Sequence, residues 1–250
     1  MIDVSCFVGP WPFRTLSLAE PEVLRDRLVA NGITRALVSP LGAVLQRSAQ
    51  VANRELAARV AGDEVFAFVP VVNPAQGEAL AELDAYPDSP AVRLLPGPHG
   101  YALDDPAVVE FVRAAGDRGR TVIVQVRMID VRMAHPDVVH RELTADEVRG
   151  LAAACPKTSI VVAGARPAEL AAIFAEPRSE RLWCELSHCE QPDVVRNLIN
   201  SVGVDRLLCG THAPVHVVEA LPAKLFSADL SAEHQEALAR GNARAAGLLG

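Results

Sequence analysis

Lysine is nearly absent from this 250-residue chain: only Lys157 and Lys224 occur, and arginine supplies the remaining positive charge. We read that as compositional bias rather than chemistry. Positive charge is short overall, with a net charge of −7. A chain so charged is not expected to bind nucleic acid or an anionic membrane surface. No apolar run approaches the roughly 18 residues a membrane-spanning helix requires. The opening "MIDVSCFVG" has no basic region followed by a long apolar segment, so no secretory leader is expected. The five cysteines (Cys6, Cys155, Cys184, Cys189, Cys209) form no CxxC pair and are odd in number. That excludes a disulfide framework and fits reduced thiols in a cytoplasmic protein. "FVGPWPFR" is not a GxGxxG, which argues against a dinucleotide-binding open sheet. No nucleophile elbow and no Ser/His/Asp order is present. Nor does any low-complexity linker or repeat divide the chain.

What is there is an alternating rhythm. Short apolar, β-branched runs predict strands over 2–8, 35–39, 65–71, 91–95, 121–126, 159–162, 181–186 and 206–209. Amphipathic stretches predict helices over 21–30, 45–61, 76–85, 106–116, 144–154, 167–174 and 192–202. Several open on a proline, whose missing N–H costs nothing in a first turn. Asp104 and Asp105 read as caps of the helix at Pro106, and Ser231 as the cap of an Ala-rich closing helix over 231–250. Eight strands alternating with helices predict an α/β fold, a (β/α)8 TIM-like barrel forming one domain over 1–250.

In such a barrel the functional residues stand at the C-terminal ends of the strands. Those positions hold Ser5, Phe7, Trp11, Arg14, Asn73, Arg93, His99, Gln125, Arg127, Glu185, His188 and His212. Arginine and histidine concentrated there in an acidic protein predict a pocket for an anionic small molecule.

The segments "IDVSCFVG", "FAFVPVVNP", "AVRLLPGPHGYALDDP", "VIVQV", "LWCELS", "VDRLLCGTHAP" and "GNARAAGLL" resemble, in order and over nearly the whole chain, the amidohydrolase superfamily in its amidohydrolase-related branch. The resemblance implies a metal-supported barrel and a hydrolase, decarboxylase, hydratase or lactonase. It also places the family's first-strand His-x-His on Ser5 and Phe7. The strand-five His falls on Gln125, the strand-six His near Ala163 and Gly164, and the last-strand Asp on His212. A borderline-soft divalent ion needs three or four N, O or S donors. The expectation is therefore a divergent subgroup without the usual metal ligands and without a metal cofactor.

Within that expectation His212 and His99 form an acid/base pair, since imidazole titrates near neutrality. Arg93, Gln125, Arg127 and Glu185 hold the substrate's anion or carbonyl, and Trp11 and Arg14 make a stiff rim. Gln125 and Arg127, two apart, are expected to share a strand face. The "RMIDVRMAHP" loop, with Arg132 and His135, is polar and long enough to form a lid. His140, His216 and His234 read as ordinary surface residues. Two rival readings stay open: a non-catalytic barrel that binds a ligand or partner, and a metal-dependent hydrolase, with zinc as the candidate ion, whose ligands are remade from His212, Gln125, Glu185 and Asp3. A homodimer is expected, through the apolar closing helix and the "GPWPFR" loop.

Overall fold

The computed structural model describes residues 1–130, 132, 134–135, 141–177 and 179–249. Parallel strands alternate with helices in chain order, in the sequence of a (β/α)8 barrel. The strands are β1 (Ile2–Val8), β2 (Arg35–Pro40), β3 (Phe66–Phe68), β4 (Val71–Val72), β5 (Ala91–Leu94), β6 (Thr121–Gln125), β7 (Ile160–Ala163), β8 (Leu182–Glu185) and β9 (Leu207–Leu208). They form two hydrogen-bonded sheets, β1-β2-β3 and β4 through β9. The predicted third strand is thus split into β3 and β4. Pro70, which lacks an N–H, stands at the break. Backbone bonds span the interruption: Val69 N donates to Val38 O at 2.9 Å, and Arg93 N to Pro70 O at 2.8 Å. At the other seam Val4 N donates to Cys209 O (2.9 Å), His212 N to Ser5 O (2.7 Å) and Phe7 N to Ala213 O (2.7 Å). The first strand thereby lies beside the last.

Each strand position sends one side chain into a common buried layer: Val4, Leu37, Val69, Ala91, Ile123, Val161, Trp183 and Leu208. Burying such side chains contributes about 1.5–3 kcal/mol each. A larger apolar shell lies between strands and helices and includes Leu24, Leu28, Val108, Phe111, Val148, Leu170 and Leu198. Phe111 and Val108 lie on the helix Pro106–Asp117, which Asp105 caps by accepting from Ala107 N at 2.9 Å. Thr144 and Glu147 form a reciprocal capping box on the helix Ala145–Ala154.

The closing helix differs from the expected continuous one. It breaks into Ala232–Glu236, a π-helical stretch Ala237–Gly241, and Asn242–Ala245. Asn242 Nδ2 reaches Val204 O and Leu207 O, both at 2.7 Å. Ala243, Ala246 and Leu248 join the inner layer, and Thr121 Oγ1 donates to Ala246 O at 2.5 Å. The apolar face on which self-association was expected therefore covers the base of the strands.

Candidate functional site

Buried polar side chains tie β1 to the segment after β9 and β8 to the segment after β7. Asp3 is fully buried. Its Oδ1 accepts from Ser5 N (2.9 Å) and Thr211 N (3.1 Å), and its Oδ2 from Thr211 Oγ1 (2.5 Å). Burial pushes its carboxyl up to about 7 against the pull of these bonds. Asp3 thus fixes the residue that precedes His212.

Glu185, also fully buried, accepts from Gly164 N (2.6 Å), Ser187 N (2.6 Å) and Ser187 Oγ (2.7 Å). Its carboxylate lies against Gly210, where any Cβ would collide with Oε2. Glycine is required there by close approach.

Arg93 fills the space above the inner layer and is fully buried. Nε donates to Ser39 Oγ (3.0 Å), Nη1 to Gln125 Oε1 (2.7 Å) and Nη2 to Val4 O (3.4 Å). Its guanidinium lies 4.6 Å from the centre of the Phe7 ring. Burial pulls it down to about 10. Arg93 and Gln125 therefore meet, but spend these polar atoms on each other and on the barrel wall.

Arg127 departs from the expected shared face. β6 ends at Gln125, and beyond it the side chain turns to Glu142 (2.9 Å), Glu169 (2.5 Å) and Gly164 O (2.7 Å). It is a structural ion-pair hub with no donor left for a substrate. His99 is on the short helix Pro96–His99, with Nε2 3.0 Å from Ala43 O and its ring near Tyr101. The rings around His212 are instead Phe7, His188 and His216, so the expected His212–His99 pair gives way to a different grouping. Trp11 is buried among Phe7, Leu41 and Met128, and Arg14 donates to Val215 O at 2.9 Å, tying the first loop to the last. Arg132 is held by Asp130 at 2.7 Å. His140 and part of the expected lid lie outside the described residues.

His212 adopts a left-handed backbone (φ 57°), uncommon without glycine. It is fully buried, with Nε2 2.6 Å from Met128 O and no partner at Nδ1. Met128 O can only accept, so Nε2 carries the proton and Nδ1 an electron pair. His188 Nδ1 is 3.0 Å from Ser187 Oγ, and its buried Nε2 has no partner. Burial first, then the neighbouring imidazoles, holds His212 and His188 well below the usual histidine range; burial lowers His216 as well. Burial thus favours the neutral form of all three.

Beside them lies a cavity of about 230 Å3 lined by Ser187, Thr211, Val215, His216 and Lys224, with Glu190 exposed at its rim. Lys224 Nζ donates to Leu186 O at 2.7 Å, and burial lowers its ammonium below the usual lysine value. The sequence reading missed both cavity residues. His216 stands four after His212 on a turn closed by His216 N to His212 O (3.2 Å), a spacing that puts both on one side. Lys224 is one of only two lysines in the chain.

The profile of one family, described as amidohydrolase, matches residues 13–246. No curated protein matches significantly. A solved structure of 2,6-dihydroxybenzoate decarboxylase with 2,6-dihydroxybenzoate is similar at TM-score 0.76 and 15% identity, over 99% of both chains. A dihydroxybenzoic acid decarboxylase from Polaromonas sp. JS666, with bound manganese and 2-nitroresorcinol, is similar at 0.73 and 16%, over 98% of this chain and 96% of that one. A 5-carboxyvanillate decarboxylase from Novosphingobium aromaticivorans, with bound manganese and 3-methoxy-4-hydroxy-5-nitrobenzoic acid, is similar at 0.73 and 15%, over 99% and 97%.

The bound manganese in two of these corrects the expectation of no cofactor: it points to a metal. The place that the resemblance assigns to it does not fit one here. Phe7 and the Arg93 guanidinium, stacked at 4.6 Å, stand at that position, and a cation there would meet a fixed positive charge. Among the described residues no helix is long and apolar enough to cross a membrane.

Proposed function

The chain belongs to the amidohydrolase family, and from that premise we propose that it is a decarboxylase-type lyase acting on a small aromatic carboxylate. The observation that carries the reading is the half-buried ammonium of Lys224 in the cavity that His216 lines. At roughly 30 Å3 per water, 230 Å3 corresponds to seven or eight waters, room for one ring and its substituents. Nζ uses one of its three donors on Leu186 O and has two for a carboxylate. An arriving carboxylate restores the charge balance that burial disfavours. The ring carboxylates named with the similar decarboxylases support that substrate class.

Loss of CO2 breaks the ring-to-carboxyl bond and leaves its electron pair on the ring carbon, which must take a proton. His212 and His188 do not line this cavity, so the proton-donating role falls to Lys224, which does. Its N–H lies where the carboxylate was held, and its lowered pKa makes it a better acid. Solvent then restores the ammonium. Arg93 and Gln125 brace the floor of the site through Phe7 and β6.

Lys224→Arg separates the two roles, because guanidinium binds carboxylates but does not give up a proton near neutral pH. KM is expected to stay within a few-fold while kcat falls by about two to four powers of ten. Equal kcat in Lys224→Arg and wild type would remove Lys224 as the acid.

A further inference from the structure

A second cavity, of about 930 Å3 against about 230 Å3 beside Lys224, opens at the other end of the barrel. It lies where strands begin: Arg35 opens β2, Phe66 opens β3, Arg120 immediately precedes β6, and Leu248 of the closing segment lies on its wall. Catalysis in such barrels belongs to the opposite, C-terminal face. A hollow at the base is therefore available to a ligand that does not react. Two loop turns keep the space open. Gly62 and Gly119 hold left-handed backbones (φ 77° and 71°), and a Cβ on either would meet nothing within 4 Å.

The lining combines aromatic surface with unspent positive charge. The half-buried rings of Phe68 and Tyr86 pack edge to face, with centres 4.9 Å apart. Arg35 Nη1 donates to Glu64 O at 3.0 Å and Arg120 Nη2 to Pro87 O, so a backbone carbonyl pins each side chain. Among the described residues neither guanidinium forms a salt bridge, and Arg120 Nε is buried with no hydrogen-bond partner. A guanidinium carries five N–H donors, and an unsatisfied buried one calls for an acceptor. The nearby carboxylates are mostly committed elsewhere. Asp63 accepts from Val65 N (2.8 Å), Phe66 N (3.0 Å) and Arg25 Nη1 (3.3 Å). Asp84, which feels the charge of Arg120, is bound by Arg118 at 2.6 and 3.2 Å. Asp88 lines the cavity but is exposed to solvent. Two pinned guanidiniums thus face one solvated carboxylate, a locally positive hollow in a chain of net charge −7.

We propose that this cavity is a second binding site, for a small aromatic anion whose ring lies against Phe68 and Tyr86 and whose carboxylate or phosphate oxygens are held by Arg35 and Arg120. Pockets for such molecules measure roughly 300–1,000 Å3 and join aromatic surface to a few fixed polar groups. The hollow meets both conditions. Guanidinium takes either oxyanion through a bidentate fork, so a ring carboxylate and a nucleoside phosphate share the required chemistry. The arriving oxyanion supplies a charged acceptor to guanidiniums that have only a carbonyl each. The site lies across the barrel from Lys224 and does not rest on the lyase reading.

The test is calorimetric titration of the full-length Lys224→Met protein, which removes the carboxylate-binding ammonium at the mouth. The probes are benzene-1,4-dicarboxylate and adenosine monophosphate, with inorganic phosphate as the ring-free control and benzamide as the uncharged one. One equivalent of at least one ringed anion is expected to bind about tenfold or more tightly than either control. The tighter of the two probes identifies the source of the anion. Arg120→Met and Arg35→Met should each weaken that binding about tenfold or more, the worth of one charge-assisted bond. Tyr86→Ala should weaken it too, and Tyr86→Phe should restore it. Circular dichroism checks each fold, and Arg35→Met carries the test if Arg120→Met disturbs it. No saturable binding of either ringed anion, equal binding of phosphate alone, or undiminished affinity in the Arg35→Met/Arg120→Met double variant overturns the site.

Discussion

Asp3→Asn should remove a loss of stability that the wild type undergoes as pH rises towards 7. The Asp3 carboxyl is buried and pushed up to about 7, against 3.8 for an ordinary aspartate. The unfolded chain therefore gives up this proton first. Below pH 3.8 both states hold it and the full contribution to stability is present; it is lost as pH rises through about 7, where the unfolded state has ionised and the native state resists. The gap corresponds to roughly 4 kcal/mol at complete ionisation. Asparagine reproduces the protonated acid: its oxygen accepts from Ser5 N and Thr211 N, and its amide donates to Thr211 Oγ1. The two proteins should have nearly the same urea midpoint at pH 4. At pH 8 the variant should be more stable by about 3–4 kcal/mol, or on the order of 10 °C in Tm for a chain of this length. Urea melts at half-unit pH intervals measure the difference free of every other titrating group. Parallel curves from pH 4 to 8, or a more stable wild type at pH 8, would refute the reasoning.

Gly210→Ala should drive a Cβ into the Glu185 carboxylate and lower stability by about 1–3 kcal/mol, read as a drop in thermal midpoint. Arg127→Met leaves Glu142 and Glu169, side chains 33% and 28% exposed, facing each other without a cation; a loss of roughly 1–3 kcal/mol in urea melts is expected, with no change in carboxylate affinity at the cavity. Substituting Arg127 should also let Glu142 and Glu169, both held below the ordinary glutamate value by that guanidinium after burial is overcome, titrate at higher pH in NMR. Arg93→Met is expected to loosen Gln125 and Ser39 and to cost several kcal/mol in the melt.

The fold was legible because its signals are periodic and redundant. Apolar runs, prolines at first turns and caps at Asp105 and Ser231 all agree, and the structure follows them within a few residues. The departures have local causes: Pro70 divides a strand, and the 231–250 helix breaks beside Asn242, which turns to Val204 O and Leu207 O. The site was less legible. A period-two rule placed Arg127 beside Gln125, but it holds only inside a strand, and β6 stops at Gln125. His99 looked like a partner for His212 from strand-end position alone, which fixes height along the barrel and not the direction of a side chain. His188 and His216 belong to different loops, and only folding brings their rings within 4.6 Å. Lys224 lies on the helix Ala220–Ser227, away from any strand end, where strand-end reasoning does not look.

Release of CO2 from ring-hydroxylated benzoates is the measurement that bears most directly on the account. With divalent metal supplied, the protein should convert at least one such acid to equimolar CO2 and the decarboxylated ring, and Lys224→Met should lower the rate by about two to four powers of ten. No CO2 from any of these acids, or an undiminished rate in Lys224→Met, would contradict it.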